Sequence, residues 1–487
     1  MNYLTPEECG ISSSHVLAFY KELEYYDLST NAVLMSRGNN IFSECYWKPF
    51  HKDFQHRMYS VSKSFVSLAI GFCEQEGLLA LDDPLVKFFP EYSHLPYQHN
   101  STIREMLTMT TTIESSKSWF RSGTTDRTAY YFEQPAQKNP DTLFRYDSMG
   151  SYVLGVVVEK LTGKTLLEYL QDKALRDIGF SQNAYFLQCP GGHSWGDSGL
   201  MCTARDLWLF ARFVLNKGSW NGKQYLNPEY INEATRSHVS NDPYGFFNHH
   251  NIHGYGYQFW CAPDGCFAAK GMGLQLAFCD PTHDFILIIN SNDQGNDLKY
   301  EPVYRALYAH ILPNLGKPLD ADNEALSSLQ AHINSRELYF LPGVRNSAFA
   351  EHICGKQFIC CENPQNIKWF RLSFGDDTVT FEYENKQGYK AITAGFGRNV
   401  FAPFPEEGYS DLIGTVGVPG HKYNAAFSAD WPTERTLRIR TQIIDKYFGN
   451  LSILIAFRDE NTVTIKMQKA AEAFLNEYEG IINATAQ

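Results

Sequence analysis

Ser60 is the only serine in the chain with a lysine three residues on, Lys63. On a helix, side chains at i and i+3 lie side by side on one face, so a hydroxyl would meet an amine. The N-terminus of a helix adds a partial positive charge that favours a developing oxyanion. This spacing suits a nucleophilic serine with a lysine base. A surface serine and lysine at a helix start is the ordinary alternative.

The residues after this pair predict that it is buried. Apolar side chains recur at three- and four-residue spacing over 60–79 and surround the predicted helix almost completely. Burial disfavours the ammonium form of a lysine, which is how a lysine becomes a usable base.

Two further segments carry candidate site residues. Tyr146 precedes a predicted helix and could assist proton transfer, with Ser148 beside it to orient groups by hydrogen bonding. Gly271 and Met272 follow a predicted strand, where a glycine allows close approach and a backbone N–H could complete an oxyanion hole. A capped helix start after a core tyrosine and a plain β-bulge are the alternative interpretations.

Strand patterns at both ends of the first 315 residues enclose a mainly helical stretch. This order predicts an α+β fold in which one antiparallel sheet, flanked by helices, gathers both ends of the segment. The predicted strands are 32–36, 41–47, 255–260, 266–270, 274–279 and 285–290. The predicted helices are 60–79, 148–161, 166–175, 204–216 and 302–311.

Three regions are predicted along the chain. Residues 1–315 form the α+β domain, 316–349 a linker, and 350–487 a separate β-rich domain. Short alternating runs between glycine-rich turns in the last region predict an all-β barrel or sandwich. Its role stays open among shaping the cleft, dimerisation of the chain and binding a second ligand.

In this order, the three elements resemble the serine β-lactamase and penicillin-binding-protein superfamily, in its class C β-lactamase and esterase-like branch. The resemblance covers about residues 5–312. Its further matching segments are 59–72, 76–83, 104–110, 198–207 and 254–257.

The resemblance implies a β-lactamase/transpeptidase-like fold and a serine hydrolase that acts through an acyl-enzyme without a metal or other cofactor. Ser60 would be the nucleophile, Lys63 its proton acceptor, and Tyr146 the partner base and later the donor to the leaving group. The backbone amides of Ser60 and Met272 would form the oxyanion hole. Members of this family act on small molecules, namely β-lactams, D-amino-acid peptides and short esters or amides.

Two positions depart from the family pattern. Ser148 stands where asparagine is frequent, and the third motif reads Ala269-Lys270-Gly271. Side chains alternate along a strand, so Lys270 is expected to point away if Ala269 and Gly271 face the site. A one-residue β-bulge at Gly271 or Gly273 would turn Lys270 toward the site. Without a cation to bind a substrate carboxylate, esterase-like substrates are favoured over β-lactams, and a catalytically silent scaffold is the alternative function.

Other signals are weaker. The Gly196–Gly199 segment is similar to a chymotrypsin nucleophile loop, but no matching histidine segment exists. His249, His250 and His253 are interpreted as a solvated loop, because no carboxylate or thiol lies at ligand spacing. The aromatic run 254–260 could line a substrate cleft or pack the sheet, and Trp119 is a further cleft candidate.

Composition restricts the functional classes. The 487 residues have 44 % hydrophobic and 20 % charged side chains, as in globular proteins. A net charge of −12 makes nucleic acid an unfavourable partner. No apolar run approaches the roughly 18 residues of a membrane span. Eleven cysteines and no visible secretion signal predict free thiols and a cytoplasmic location.

Overall fold

The structure, a computed structural model, describes residues 2–95, 101–113, 126–241, 253–294, 300–407, 421–446, 448–470 and 478–487. The chain divides into two compact units, one formed chiefly by residues up to Glu337 and one by residues from Leu338 on. A helix, Asn323–Asn334, lies in the segment predicted as a linker. The domain limits at 315 and 350 therefore stay predictions.

The α-helices are α1 (Ser13–Tyr25), α2 (Ser62–Gln75), α3 (Ile103–Thr108), α4 (Arg127–Glu133), α5 (Ser148–Thr162), α6 (Leu166–Leu170), α7 (Ala204–Leu215), α8 (Pro228–Thr235), α9 (Tyr300–Ala306), α10 (Asn323–Asn334) and α11 (Phe349–Ile353). Helices α6 and α9 continue as π-helical turns, Gln171–Leu175 and Leu307–Ile311. The strands of the first unit are β1 (Asn2–Tyr3), β2 (Thr30–Arg37), β3 (Asn40–Tyr46), β4 (His56–Arg57), β5 (Tyr185–Phe186), β6 (Leu200–Cys202), β7 (Ser219–Trp220), β8 (Lys223–Gln224), β9 (Trp260–Cys261), β10 (Phe267–Gly271), β11 (Gln275–Asp280) and β12 (Phe285–Ser291).

One sheet gathers both ends of this unit, as predicted. Within the described ranges it has seven strands in the order β1-β3-β2-β12-β11-β10-β9. Strand β12 pairs antiparallel with β2, for example Leu287 with Met35, and so joins segments far apart in the sequence. The neighbouring pairs are antiparallel except β1 with β3.

Helices cover both faces of the sheet. On one face α1 and α9 bury Phe19, Leu23 and Val303 in a cluster with strand residues such as Leu287. On the other face α7 packs on β11 and β12 and, through Phe210, stacks on Phe65 of α2 with ring centroids 3.8 Å apart. Residues 62–73 of α2 are all buried, because this helix packs against α5, α6 and α8 and, through Phe65, against Phe210 of α7. The apolar surface that the sequence predicts around this helix is therefore buried.

The predicted strand over 255–260 is wrong except at its last residue. Strand β9 begins at Trp260, and Gln258 has a φ of 63°, which interrupts extended backbone. The Gln258 side chain donates Nε2–H bonds to the carbonyls of Met106 (3.0 Å) and Leu107 (2.9 Å). This segment therefore caps α3 instead of extending the sheet.

The second unit is a closed β-barrel. Its strands are β13 (Gln357–Cys360), β14 (Trp369–Phe374), β15 (Thr378–Asn385), β16 (Gly388–Phe396), β17 (Val400–Glu407), β18 (Lys422–Thr433), β19 (Thr436–Ile444), β20 (Phe448–Asp459), β21 (Thr462–Ala470) and β22 (Gly480–Ala486). Pairing of β16 with β18 closes a ring of nine strands among the described residues, and β17 adds to β18 outside the ring. Alternate residues of β15, such as Val379 and Phe381, are buried inside. Of the predicted alternatives, the barrel is confirmed.

The cysteines are free thiols, as expected from the sequence. In the part of the chain that the structure describes, no helix has the length and apolar character needed to cross a membrane.

Candidate active site

Ser60 lies in a tight turn immediately before α2. The turn is a 3₁₀ segment, Tyr59–Val61, and Tyr59 has a φ of 47°. A positive φ is unfavourable for a bulky residue and is kept only where the surroundings hold it. Here the guanidinium of Arg57 lies 4.1 Å from the centre of the buried Tyr59 ring. The turn leaves Ser60 partly exposed while the helix that follows is buried.

Lys63 is positioned by two hydrogen bonds. Its Nζ donates to the Ser60 Oγ at 2.9 Å and to the Asp197 carbonyl at 2.8 Å. Only 1 % of the Lys63 surface is exposed. The amine is therefore within proton-transfer distance of the hydroxyl and is shielded from water.

Tyr146 joins this pair from the segment before α5. The centre of its ring lies 5.0 Å from the Lys63 Nζ, and the ring is half-buried. Ser148 is the first residue of α5 and is also half-buried. The structure thus brings Ser60, Lys63 and Tyr146 together from two separate helix starts.

The end of β10 packs directly on the Ser60 turn. A Cβ at position 271 would lie 2.3 Å from the Met58 carbonyl oxygen and 3.2 Å from the Ser60 nitrogen, so Gly271 is required there. The Tyr300 hydroxyl donates to the Gly271 carbonyl at 2.6 Å. Because C=O and N–H point in opposite directions across a trans peptide, the Met272 N–H is directed away from Tyr300.

Ala269 and Lys270 lie on opposite faces of β10. Ala269 shares the face of Gly271 and is buried. Strands β10 and β11 pair without a register shift, so no bulge brings Lys270 to that face. Its Nζ instead lies 4.7 Å from the Tyr304 ring and 5.5 Å from the Trp260 ring. Burial lowers the pKa of Lys270 to about 7. The structure does not place Lys270 with the other predicted site residues.

Two buried carboxylates beside Lys63 were missed by the sequence analysis. Burial raises the pKa of Asp147 to about 6, although the backbone N–H groups of Gly150 and Met149 and the Lys63 charge favour its ionised form. Burial also raises the pKa of Asp197, against the Lys63 and Arg127 charges. Asp197 lies in the Gly196–Gly199 segment considered as a chymotrypsin-like loop, and Asp147 between Tyr146 and Ser148. The signal in the sequence that could have identified Asp147 and Asp197 is their position inside segments that were already considered as site segments.

Trp119, His249 and His250 lie outside the described residues. Over the described ranges, no group of three or more His, Cys, Asp or Glu side chains converges as metal ligands do.

Comparison with known proteins shows the family of the chain. The family profile described as Beta-lactamase matches residues 23–310, more than half of the chain. The chain belongs to the Beta-lactamase family. It is a serine hydrolase of that family, and its fold is the β-lactamase/transpeptidase fold followed by a barrel.

Three relatives illustrate the likeness. A 6-aminohexanoate-dimer hydrolase from Paenarthrobacter ureafaciens is 25 % identical in an alignment of 314 residues that covers 60 % of this chain and 79 % of that protein. The structure of an octameric penicillin-binding protein homologue from Pyrococcus abyssi is 16 % identical with a TM-score of 0.50, over 97 % of this chain and 99 % of that one. A family VIII carboxylesterase is 14 % identical with a TM-score of 0.51, over 64 % and 99 %. The two structures show a shared fold.

Proposed function

We propose that this chain hydrolyses an ester or amide bond of a small molecule through an acyl-enzyme on Ser60. One observation carries the proposal: the 2.9 Å hydrogen bond between the Lys63 Nζ and the Ser60 Oγ. The lysine is buried, and a second hydrogen bond to the Asp197 carbonyl holds its amine beside the hydroxyl. A surface serine and lysine would lack both the burial and the anchor.

The reaction would proceed in two halves. Lys63 accepts the Ser60 proton as Oγ forms a bond to the substrate carbonyl carbon, and the oxyanion accepts hydrogen bonds from the Ser60 and Met272 N–H groups. Tyr146 delivers a proton to the leaving alcohol or amine as its bond to carbon breaks, and it takes up in turn the proton that Lys63 received from Ser60, so that both groups are restored before deacylation. Water then attacks the acyl-enzyme, the same base takes its proton, and the acid is released while Ser60 regains its hydrogen.

The third motif favours substrates without a carboxylate beside the scissile bond. Ala269, which shares a strand face with Gly271, cannot bind an anion. Lys270 lies on the opposite face among aromatic rings. Simple esters and amides are therefore proposed ahead of β-lactams.

The alternative is a scaffold that keeps the fold without activity. The identity to a named hydrolase over 79 % of its length supports an active enzyme, as does the retention of both Ser60 and Lys63 in contact.

The test is hydrolysis of p-nitrophenyl butyrate and a chromogenic cephalosporin, with intact mass after a fluorophosphonate probe. We expect the wild type to turn over the ester faster and to gain one adduct, which peptide mapping places on Ser60. Ser60→Ala should lose adduct and turnover. Ser67→Ala is the matched control, because it removes a buried α2 hydroxyl whose 3.3 Å contact is with Tyr230.

Lys63→Met separates the base from the nucleophile. Methionine keeps the volume of the buried chain but accepts no proton, so we expect kcat/KM to fall by at least about 1,000-fold. A wild type without any adduct would support the silent scaffold, and an adduct that survives in Ser60→Ala would contradict the assignment of the nucleophile.

A further inference from the structure

Three partly exposed aromatic side chains pack together beside the proposed catalytic groups. The Trp260 ring stacks on Tyr146, with centroids 5.7 Å apart and an interplanar angle of 24°. Phe144 meets Trp260 edge to face at 6.1 Å. Each of the three keeps solvent exposure. We call Phe144, Tyr146 and Trp260 the aromatic wall.

Neighbouring side chains and the sheet fix the position of the aromatic wall. The buried Tyr255 ring lies 5.1 Å from Phe144 and 5.1 Å from Trp260. Trp260 belongs to β9 and pairs with Ala268 of β10, so the sheet sets its backbone position. The Lys270 Nζ lies 5.5 Å from the indole centre, a cation–π distance. The indole is therefore prearranged and does not need a ligand to order it.

Packing on the sheet accounts for only part of the Trp260 side chain. In the fully described run 254–260, Tyr255, Tyr257 and Phe259 are buried and serve the interior. Trp260 alone among these aromatic residues keeps solvent exposure. Of the two interpretations open for this run, a cleft lining fits Trp260 and core packing fits the other three.

The position of the aromatic wall next to Tyr146 indicates which part of a substrate would contact it. To receive a proton from Tyr146, the leaving atom must come within about 3 Å of its hydroxyl. Any group attached to that atom then begins next to the ring on which Trp260 stacks. The acyl carbon, in contrast, is bound to Ser60 near Gly271.

We propose that the aromatic wall is the leaving-group subsite and that it takes an uncharged alkyl or aryl group of the departing alcohol or amine. The proposal rests on the proposed function and adds a substrate class to it. Apolar contact with aromatic faces excludes water and stabilises such a group over a short one by roughly tenfold in kcat/KM.

The experiment compares propyl butyrate with 3-phenylpropyl butyrate in the wild type, Trp260→Ala and Trp260→Phe. The two alcohols are nearly equal in acidity, so a rate difference reports binding. Both esters give the same butyryl-enzyme, so the deacylation rate is a built-in control for the catalytic groups. We expect roughly tenfold preference for the phenylpropyl ester in wild type, its loss in Trp260→Ala, its retention in Trp260→Phe, and unchanged deacylation. Trp220→Ala, a half-buried tryptophan in β7, is the matched control.

Three outcomes would overturn the subsite. One is an unchanged ester preference in Trp260→Ala. Another is an equal loss of acylation and deacylation, which would make Trp260 only a positioning residue for Tyr146. The third is a changed dependence on acyl chain length, tested with p-nitrophenyl acetate and hexanoate, which would place the acyl group on the wall. Failure of the proposed function is distinct, because the wild type would then form no Ser60 adduct.

Discussion

Asp147 is a carboxylate that the fold buries within the candidate site. It lies between Tyr146 and Ser148, at the N-terminus of α5, with 2 % of its surface exposed. Burial raises its pKa from an ordinary 3.8 to about 6, and the nearby Asp197 acts in the same direction. The folded protein therefore binds this proton more tightly than the unfolded chain does.

This difference predicts how an Asp147→Asn variant depends on pH. For wild type, the destabilisation from this group begins as pH rises above about 4 and is complete above about 6. Asparagine stays neutral, so we expect the variant to gain on the order of 2 kcal/mol more, relative to wild type, at pH 7.5 than at pH 4. Thermal or urea unfolding at the two pH values measures the gain. Equal effects at both would contradict a raised pKa.

One contact of the candidate site can be predicted from residue types and their spacing alone. Ser60 lies in the 3₁₀ turn that leads directly into α2, and Lys63 lies in the first turn of α2, so their contact follows from the local helical geometry of residues three apart. Asp197 is different, because its role depends on a carbonyl that reaches Lys63 from 134 positions along the chain. The sequence around Asp197, an aspartate in a glycine-rich loop, does not predict the contact of its carbonyl with Lys63.

At the scale of elements, the approach of β10 to the Ser60 turn organises the site. A methyl group at position 271 would overlap the Met58 carbonyl and crowd the Ser60 nitrogen. Both contacts are with backbone, which can move only by shifting the strand or the turn.

We therefore expect Gly271→Ala to lower kcat/KM for p-nitrophenyl butyrate by at least about 100-fold and to destabilise the fold by roughly 2 kcal/mol. Gly155→Ala in α5 is the control, since its nearest neighbour lies 3.8 Å away and alanine favours a helix interior. Full activity in Gly271→Ala would show that the strand tolerates displacement and that its position does not matter for the reaction.

Helices and strands could be predicted from the sequence where their hydrophobic periodicity depends only on neighbouring residues. The periodicity over 60–79 predicts a buried helix, found as a turn followed by α2, and the runs ending at 270, 279 and 290 are β10, β11 and β12. The failure at 255–260 has a tertiary origin. Gln258 binds the carbonyls at the end of α3, and this contact outweighs the strand pattern around it.

At the scale of the molecule, the second unit has its own core and its own buried polar network. Lys390 and Glu406 form an ion pair of 2.6 Å, with 7 % and 5 % of their side chains exposed. Asn385 and Tyr478 donate further hydrogen bonds to the Glu406 carboxylate. A buried pair satisfied in this way becomes costly when one partner is removed.

We expect Glu406→Gln, which leaves the Lys390 charge buried and unpaired, to destabilise the barrel by about 3 kcal/mol. Fluorescence-detected thermal unfolding measures this through the barrel residues Trp369 and Trp431. Ester hydrolysis at 25 °C should be retained, because the proposed catalytic groups all belong to the first unit. The double variant Lys390→Met/Glu406→Leu should recover most of the stability. An unchanged unfolding temperature in Glu406→Gln would contradict a structural role for the pair.

Local pattern was sufficient for the class of fold, the buried helix that carries Lys63, the pairing of Ser60 with that lysine and the β-rich character of the last 138 residues, 350–487. Helical and strand periodicity act over a few residues, and the i, i+3 relation needs no distant partner. The anchor of Lys63 on Asp197, the fit of Gly271 against Ser60, the burial of Asp147 and the stacking of Trp260 on Tyr146 required the packed chain. Each joins segments remote in sequence, and their distances depend on how whole elements pack against one another.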